Sequence, residues 1–344
     1  MSRETGSSGG RRALLVIIIA LFLAGISYSG YLFYVTIRDT VAYAQIPVLQ
    51  RPPLASKYSV PTVSADGSEG GEEQADPQPI PRIERQERVN VLLLGIDERD
   101  LQNGPWRTDT MIVLTVDPAT KTAGMLSIPR DLWVPIPSFG EHRINTAHFL
   151  GDLNEYPGGG VALAKKTVQL NFGIPIHYYV RVNFAGFKKV VDTIGGIDVE
   201  VPEEINDPRY PDGDFGYEPF HISAGHHHMD GELALKYART RHRGSDFDRI
   251  KRQQQVIMAV RDRVMRLGLL PRMLPRLPQL AKSMGDAIQT DMPLNEIWAL
   301  GQLIREIDRD HIKARTIDQT MTRPITTPQG QQVLWPDREK IRPL

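Results

Sequence analysis

Val89-Asn90-Val91-Leu92-Leu93-Leu94-Gly95-Ile96-Asp97 is a β-rich run that ends on a carboxylate. Short apolar runs of this kind, bounded by turn-forming residues, read as buried strands. Met111 to Val116 and Ala123 to Ile128 repeat the pattern, joined by the turn-like Asp117-Pro118-Ala119-Thr120. Folded as an antiparallel meander, the three runs bring the end of the first, the start of the second and the end of the third to one edge. That edge gathers Asp97, Arg107, Asp109 and Arg130.

Farther along, Gly160 to Phe172, Phe184 to Ile194 and Gly231 to Arg239 read as helices, with strands at Ile176 to Val182 and Ile197 to Val201. This alternation predicts a layered α/β domain. A stronger helix follows Asp246, a predicted N-cap, with Ile250, Val256, Ile257, Val260, Val264 and Leu267 on its apolar face. Arg249 and Gln253, four apart, then share one face near the positive end of that helix. Pro293 to Ile307 forms another amphipathic helix, with Ile297, Leu300, Ile304 and Ile307 inward, and Ile312 to Ile317 reads as an edge strand. The Pro- and Thr-rich residues 319–344 read as a loose tail.

Toward the N-terminus, residues 13–35 carry no charge, with Arg3, Arg11 and Arg12 before them and Arg38 and Asp39 after. As a helix this run spans about 34 Å, enough for a hydrocarbon core of roughly 30 Å. Tyr28, Tyr31 and Tyr34 suit the far interface, and the basic flank places residues 1–12 in the cytoplasm and the rest outside. A cleaved signal peptide is the competing reading, because Ala42-Tyr43-Ala44 resembles a cleavage site. Signal h-regions are shorter, about 7 to 15 residues, so an uncleaved anchor is the preferred reading. From Ile46 to Glu87 the composition shifts to Pro, Ser, Gly and acid, so residues 36–87 read as a disordered, acidic tether with a reach of about 35–40 Å. A domain at 88–318 follows.

The 41 Lys and Arg balance 41 Asp and Glu, so the chain as a whole has no pull toward nucleic acid. Without cysteine there is no disulfide framework, thiolate metal site or cysteine nucleophile. Charge is nevertheless uneven: Lys236 to Arg276 carries twelve basic residues and three acids. A solvated helix face accounts for Arg261, Arg263 and Arg266. Arg239, Arg241 and Arg243, at alternate positions, would fall on one side of an extended segment and repel one another unless an anion sits there. The guanidinium fork suits phosphate oxygens.

Asp97 and Asp109 as a pair can hold a hard divalent cation through oxygen. Arginines repel a bare cation but tolerate one bridged by pyrophosphate, so the set reads as a metal and diphosphate site. The plainer alternative, that Arg107 and Arg130 neutralise two sheet-edge acids, stands equally on spacing alone. Other candidates are weaker. His226-His227-His228 follows Gly225 and reads as a loop rather than a metal site, since adjacent residues rarely aim at one ion. Gly158-Gly159-Gly160 lacks the Lys-Ser/Thr of a P-loop and reads as a turn into a helix. Ser127 and Ser223 lack a nucleophile-elbow setting.

Taken together, seven stretches resemble the LytR-CpsA-Psr family of membrane-anchored phosphotransferases. They are Asn90–Arg99 (NVLLLGIDER), Arg107–Met111 (RTDTM), Ser127–Leu132 (SIPRDL), Arg143–Ala147 (RINTA), Val191–Ile197 (VDTIGGI), Leu235–Arg241 (LKYARTR) and Asp246–Gln254 (DFDRIKRQQ), in family order over about 165 residues. The resemblance implies an α/β/α sandwich around a mixed central sheet, preceded by one transmembrane helix and enclosing an apolar tunnel for a prenyl chain. It implies an extracytoplasmic enzyme of the cell membrane that moves a glycopolymer from an undecaprenyl-diphosphate carrier to a peptidoglycan hydroxyl through a phosphodiester. By the same resemblance Asp97 and Asp109 hold Mg2+ or Mn2+, and Arg107, Arg130, Arg239, Arg241, Arg249 and Gln253 surround the pyrophosphate. Asp97, Asp109, Arg107 and Arg130 form the catalytic group, and no nucleic acid is involved. Two other functions remain open at this stage: a polyprenyl-diphosphate phosphatase using water as acceptor, and a membrane-bound transcriptional attenuator, which the outward orientation of the basic segment opposes.

Overall fold

The computed structural model describes residues 87–98, 105–212, 216–241, 246–268 and 285–342. All lie in the second of the chain's two units, Pro77–Leu344. The segment read as membrane-spanning, 13–35, and the tether fall outside the described residues. No helix among the described residues is long and apolar enough to cross a membrane.

The meander forms as its sequence predicts. Strands β1 (Val89–Ile96), β2 (Thr108–Asp117) and β3 (Thr122–Ser127) pair antiparallel in order. Next come β4 (Trp133–Ile136), β5 (Gly140–Arg143), α1 (Thr146–Leu153), α2 (Gly159–Phe172), β6 (Tyr178–Asn183), α3 (Phe184–Thr193) and β7 (Ile197–Val201). The strands β8 (Ile205–Pro211), β9 (Tyr217–Ile222) and β10 (Gly225–Met229) lead into α4 (Gly231–Arg239) and the long α5 (Asp246–Arg266). The chain continues with β11 (Ile288–Thr290), α6 (Leu294–Glu306), β12 (Ile312–Thr316), β13 (Thr322–Thr326), β14 (Gln332–Pro336) and α7 (Arg338–Ile341). A six-stranded mixed sheet in the order β11-β6-β1-β2-β3-β12 is the frame, with β6 parallel to β1 and β12 parallel to β3. The predicted edge strand is therefore an edge strand.

Alternation along β1 divides the core. Leu92 and Leu94 are fully buried on one face with Met111 and Val113 of β2 and Leu163, Ala164 and Val168 of α2. Val89 and Val91 face the other way, toward Val116, Tyr178, Leu303 of α6 and Ile307 just after it. Burying a leucine of this kind contributes about 1.5–3 kcal/mol. A third cluster joins α3, β7, α4 and α5 through Val191, Ile197, Tyr237 and Val256. The central strands are thus covered on both faces, which is why they read as almost unbroken apolar runs.

Four local readings need correction. Residues 322–336 are no loose tail: β13 and β14 form a hairpin, Val333 and Ile341 are buried, and Leu334 bridges to Leu132. Its polar outer face hid the strand period. His226-His227-His228 lies in β10, paired with β7, and alternation sends His227 to Ser223 O and His228 to Asp198. Leu303 rather than Ile304 is the buried residue at that turn of α6. Asp246 is the first helical residue of α5, and its carboxylate pairs with Arg249 at 2.8 Å.

Candidate active site

A β-bulge creates the site. Gly95 of β1 pairs with Thr110 and Ile96 with Thr108, so Asp109 is the extra residue between them. Bulges re-aim a side chain and sharpen the local twist. Gly95 is needed here because a Cβ would stand 2.9 Å from the Thr110 Cβ. Asp97, directly after β1, and Asp109 both line two neighbouring cavities, and among the described residues they are the only ones the two linings share.

The first cavity, about 660 Å3, lies between the sheet and helices α3, α4 and α5. Leu93, Val182, Phe187, Leu235, Val256 and Ile257 give it apolar walls. At its polar end stand Asp97, Asp109, Arg239, Arg241, Arg249 and Gln253. The second cavity, about 440 Å3, takes in Arg107 and Arg130 with the same two acids. Every residue predicted for the site is therefore at one cavity or the other.

Each cation is held differently. Arg130 donates Nη1–H to Asp109 Oδ1 at 2.5 Å. Burial alone would push the Asp109 carboxyl up, but the charge and hydrogen bond of Arg130, helped by Arg249 and Arg241, hold it below the usual carboxylate value. Arg249 is only 4% exposed, pairs with Asp246 and donates to the Asp109 carbonyl at 3.2 Å. Burial, with Arg241 and Arg130 nearby, pulls its pKa down to about 10, so it remains a cation near neutral pH. Arg239 lies 4.1 Å from the centre of the Phe184 ring, donates to the Tyr210 hydroxyl at 2.9 Å and approaches Asp97 at 3.9 Å. Arg107 is exposed, 5.7 Å from the centre of the Phe149 ring.

The arginine segment is not extended as the alternation predicts. Arg239 closes α4, Thr240 turns the chain and Arg241 follows; Arg243 lies outside the described residues. The buried Thr240 donates to Asp207 Oδ2 at 2.6 Å, and Arg252 donates to the carbonyls of Tyr237 and Thr240. These contacts aim Arg239 and Arg241 into one cavity. Sequence reasoning gave no role to Asp207 and Tyr210 of β8, Phe184 of α3 or Arg252 of α5, because their contacts with the arginine segment are tertiary and no spacing encodes them. Tyr210 and Phe184 had only their aromatic character to mark them.

Asp97 and Asp109 fit a hard divalent cation by donor chemistry. No cluster of three or more His, Cys, Asp or Glu ligands occurs among the described residues, so an ion here would take its remaining ligands from water and phosphate oxygens, as Mg2+ commonly does.

Fold and site together define a mixed α/β protein whose apolar cavity opens onto a cluster of acids and arginines. Comparison with known proteins agrees. The LytR_cpsA_psr family profile matches residues 56–342, and the chain belongs to that family. It is 35% identical over 214 residues to a protein of Oceanobacillus iheyensis named polyisoprenyl-teichoic acid–peptidoglycan teichoic acid transferase TagU, covering 62% of this chain and 61% of that one. It is 31% identical over 217 residues to the regulatory protein MsrR of Staphylococcus aureus, covering 62% and 59%. The matches thus span about three fifths of these curated relatives. Among solved structures, Bacillus subtilis TagV superposes with a TM-score of 0.59 at 31% identity, covering 75% of this chain and 95% of that one. TagT with bound octaprenyl pyrophosphate lipid gives 0.54 at 27% identity, covering 75% and 87%.

Proposed function

We propose that this protein is a membrane-anchored extracytoplasmic phosphotransferase that moves a glycopolymer from an undecaprenyl-diphosphate carrier to peptidoglycan. The observation that carries the reading is the continuity of an apolar cavity with a pocket of two acids and several arginines, which matches a lipid with a diphosphate head. That a relative is named a teichoic acid transferase and a neighbour holds octaprenyl pyrophosphate supports it. The anchor is residues 13–35, which leaves the domain at the outer membrane surface.

In this reading the prenyl chain lies along Leu93, Val182, Leu235 and Val256, and Arg239, Arg241 and Arg249 bind the diphosphate. Asp97 and Asp109 hold Mg2+ or Mn2+, which when bound supplies Lewis-acid stabilisation of phosphate charge. The acceptor hydroxyl oxygen bonds to the sugar-side phosphorus, and the bond from that phosphorus to the bridging oxygen breaks. Prenyl monophosphate departs with the electron pair, and the hydroxyl proton passes to solvent. No nucleotide is required, since a phosphoanhydride is exchanged for a phosphodiester. Arg130 orients Asp109 and keeps it ionised, while the other arginines offset charge developing on the bridging oxygen.

The test is incubation of the full chain with lipid-linked glycopolymer and peptidoglycan. A phosphodiester conjugate is expected, lost in Asp109→Ala and Arg241→Ala; undiminished yield in both variants would overturn the reading. The polar second cavity also admits water, so hydrolysis is the competing reaction. Free phosphorylated glycan without conjugate, even with acceptor present, would make the protein a phosphatase.

A further inference from the structure

We propose that the second cavity, lined by Trp106, Arg130, Asp131, Arg143 and Asn145, is a binding site for the acceptor: a hydroxyl-bearing saccharide of peptidoglycan. The proposal rests on the transferase reading and adds to it where the nucleophile is held.

The first argument is geometric. Phosphoryl transfer places attacking and leaving oxygens roughly in line across phosphorus. With the prenyl phosphate in the apolar cavity, the leaving oxygen is on that side of Asp97 and Asp109. The nucleophile then enters from the other side. Among the described residues the second cavity shares those two acids alone with the first, so it lies on that approach.

The second argument is the chemistry of the wall. Three buried side-chain atoms without a hydrogen-bond partner belong to residues lining this cavity: Arg130 Nε, Arg143 Nε and Asn145 Oδ1. Buried polar atoms are rarely left unmatched, and such exceptions call for an explanation. Asn145 is 6% exposed and occupies the N-cap position of α1, yet its side chain makes no capping bond. Its backbone is fixed on both sides, with N–H donating to the Arg130 carbonyl at 3.3 Å and its carbonyl accepting from Thr108 N–H at 3.2 Å. The two guanidinium Nε atoms flank Asp131 at 3.5 and 3.3 Å in ion pairs without hydrogen-bond geometry. Donors and acceptors alternating in this way suit hydroxyl groups, each of which both donates and accepts. Asp131 and the Asn145 oxygen thus set acceptors beside the guanidinium donors of Arg107, Arg130 and Arg143. Trp106 adds a half-buried ring, a surface for the C–H face of a sugar.

The experiment uses the full chain in detergent with soluble, uncrosslinked peptidoglycan oligosaccharides. Direct titration without donor is run beside transfer kinetics and beside displacement of a fluorescent prenyl diphosphate. Trp106→Ala and Asn145→Ala are each expected to raise the acceptor KM and weaken oligosaccharide binding about tenfold, the size of one lost hydrogen bond or stacking contact, with prenyl-diphosphate affinity retained. Trp106→Phe should recover most of the loss. Because Asn145 is buried and its variant can misfold, Trp106→Ala carries the decision. Unchanged oligosaccharide binding and acceptor KM in Trp106→Ala overturns the proposal, as does an equal fall in prenyl-diphosphate affinity. Saturable oligosaccharide binding that Trp106→Ala weakens, in a wild-type protein that forms no conjugate, upholds the subsite and sinks the transferase reading alone.

Discussion

The two cavities that meet at Asp97 and Asp109 are built from different materials. The first is walled by regular elements, with Leu93 from β1, Val182 from β6, Leu235 from α4 and Val256 from α5. Its shape follows from core packing. The second is walled largely by connections, Pro105 to Arg107, Arg130 to Asp131 and Asn145, with Arg143 closing β5 and Phe149 from α1. Its shape follows from hydrogen bonds that pin those connections to the sheet. A container for an apolar chain needs volume and no direction, whereas recognition of polar groups needs aimed donors and acceptors. The bulge at Asp109 is where the two constructions join, so substitutions there should damage both sides and substitutions away from it only one.

Arg249 gives the harshest test of that division. It is almost fully buried and is shared between Asp246 and the Asp109 carbonyl. Arg249→Ala removes one partner of a buried pair, so a stability loss of about 3–5 kcal/mol is expected, read by chemical denaturation. Arg249→Met keeps the stem and should recover part of the stability but none of the prenyl-diphosphate affinity. If the methionine variant binds the lipid normally, the arginine is structural and the polar end of the first cavity has been misread.

Asp109 comes next. Asp109→Asn retains shape but loses the charge that Arg130 compensates, and a fall in transfer rate on the order of 10²–10³ is expected. Because Asp109 faces both cavities, the fall should be the same with water or saccharide as acceptor. A loss confined to one acceptor would mean that the junction belongs to one cavity rather than both.

The comparison also explains what was legible in the sequence. The first cavity's elements were readable because each carries a period: β1 to β3 as apolar runs, α3 and α4 as helices, α5 as a long apolar face. Arg239 and Arg241 share the first cavity for a reason other than the alternation, since a helix end and Thr240, not an extended strand, bring them together. The bulge left no trace in composition, because it is a property of the pairing of Gly95 and Ile96 with β2. Asn145 was visible only as one letter of a motif. Its meaning lies in a backbone fixed by Arg130 and Thr108 and a side chain left without a partner, and no spacing encodes that. The β13–β14 hairpin escaped for a related reason: Thr322 and Val333 are buried while most of its other positions are exposed or half-buried, too sparse a pattern for a period to register.

A milder change addresses the first cavity alone. Val182 lies on β6 among its apolar walls, and Val182→Trp fills part of the space with a ring. Overpacking costs about 1–3 kcal/mol in stability. The KM for a long-chain prenyl diphosphate should rise about tenfold while that for a short-chain analogue changes little, and acceptor KM should not move. Equal effects on both chain lengths would mean that the prenyl chain does not run past Val182.

The smallest effect belongs to the second cavity and comes from pH. His148 is fully buried on α1 and donates Nδ1–H to the Trp106 carbonyl at 3.0 Å, with Asp152 3.2 Å away. Burial lowers its pKa from 6.5, Asp152, Glu98 and the Trp106 carbonyl push it back up, and Arg181 adds to the lowering; the net direction is down. A histidine held neutral in the folded protein stabilises it fully above the unfolded pKa of 6.5, and that contribution shrinks as pH falls from there toward the folded value. Thermal stability should therefore decline below about pH 6.5 in the wild type and decline less in His148→Gln, which keeps a donor toward Trp106 but cannot take up a proton. Because the histidine stays neutral in the folded protein over that range and its Nδ1–H keeps the Trp106 carbonyl, neither the acceptor KM nor the prenyl-diphosphate KM should move on its account. A decline in thermal stability below pH 6.5 that is just as steep in His148→Gln would show that acid acts through other groups and not through His148.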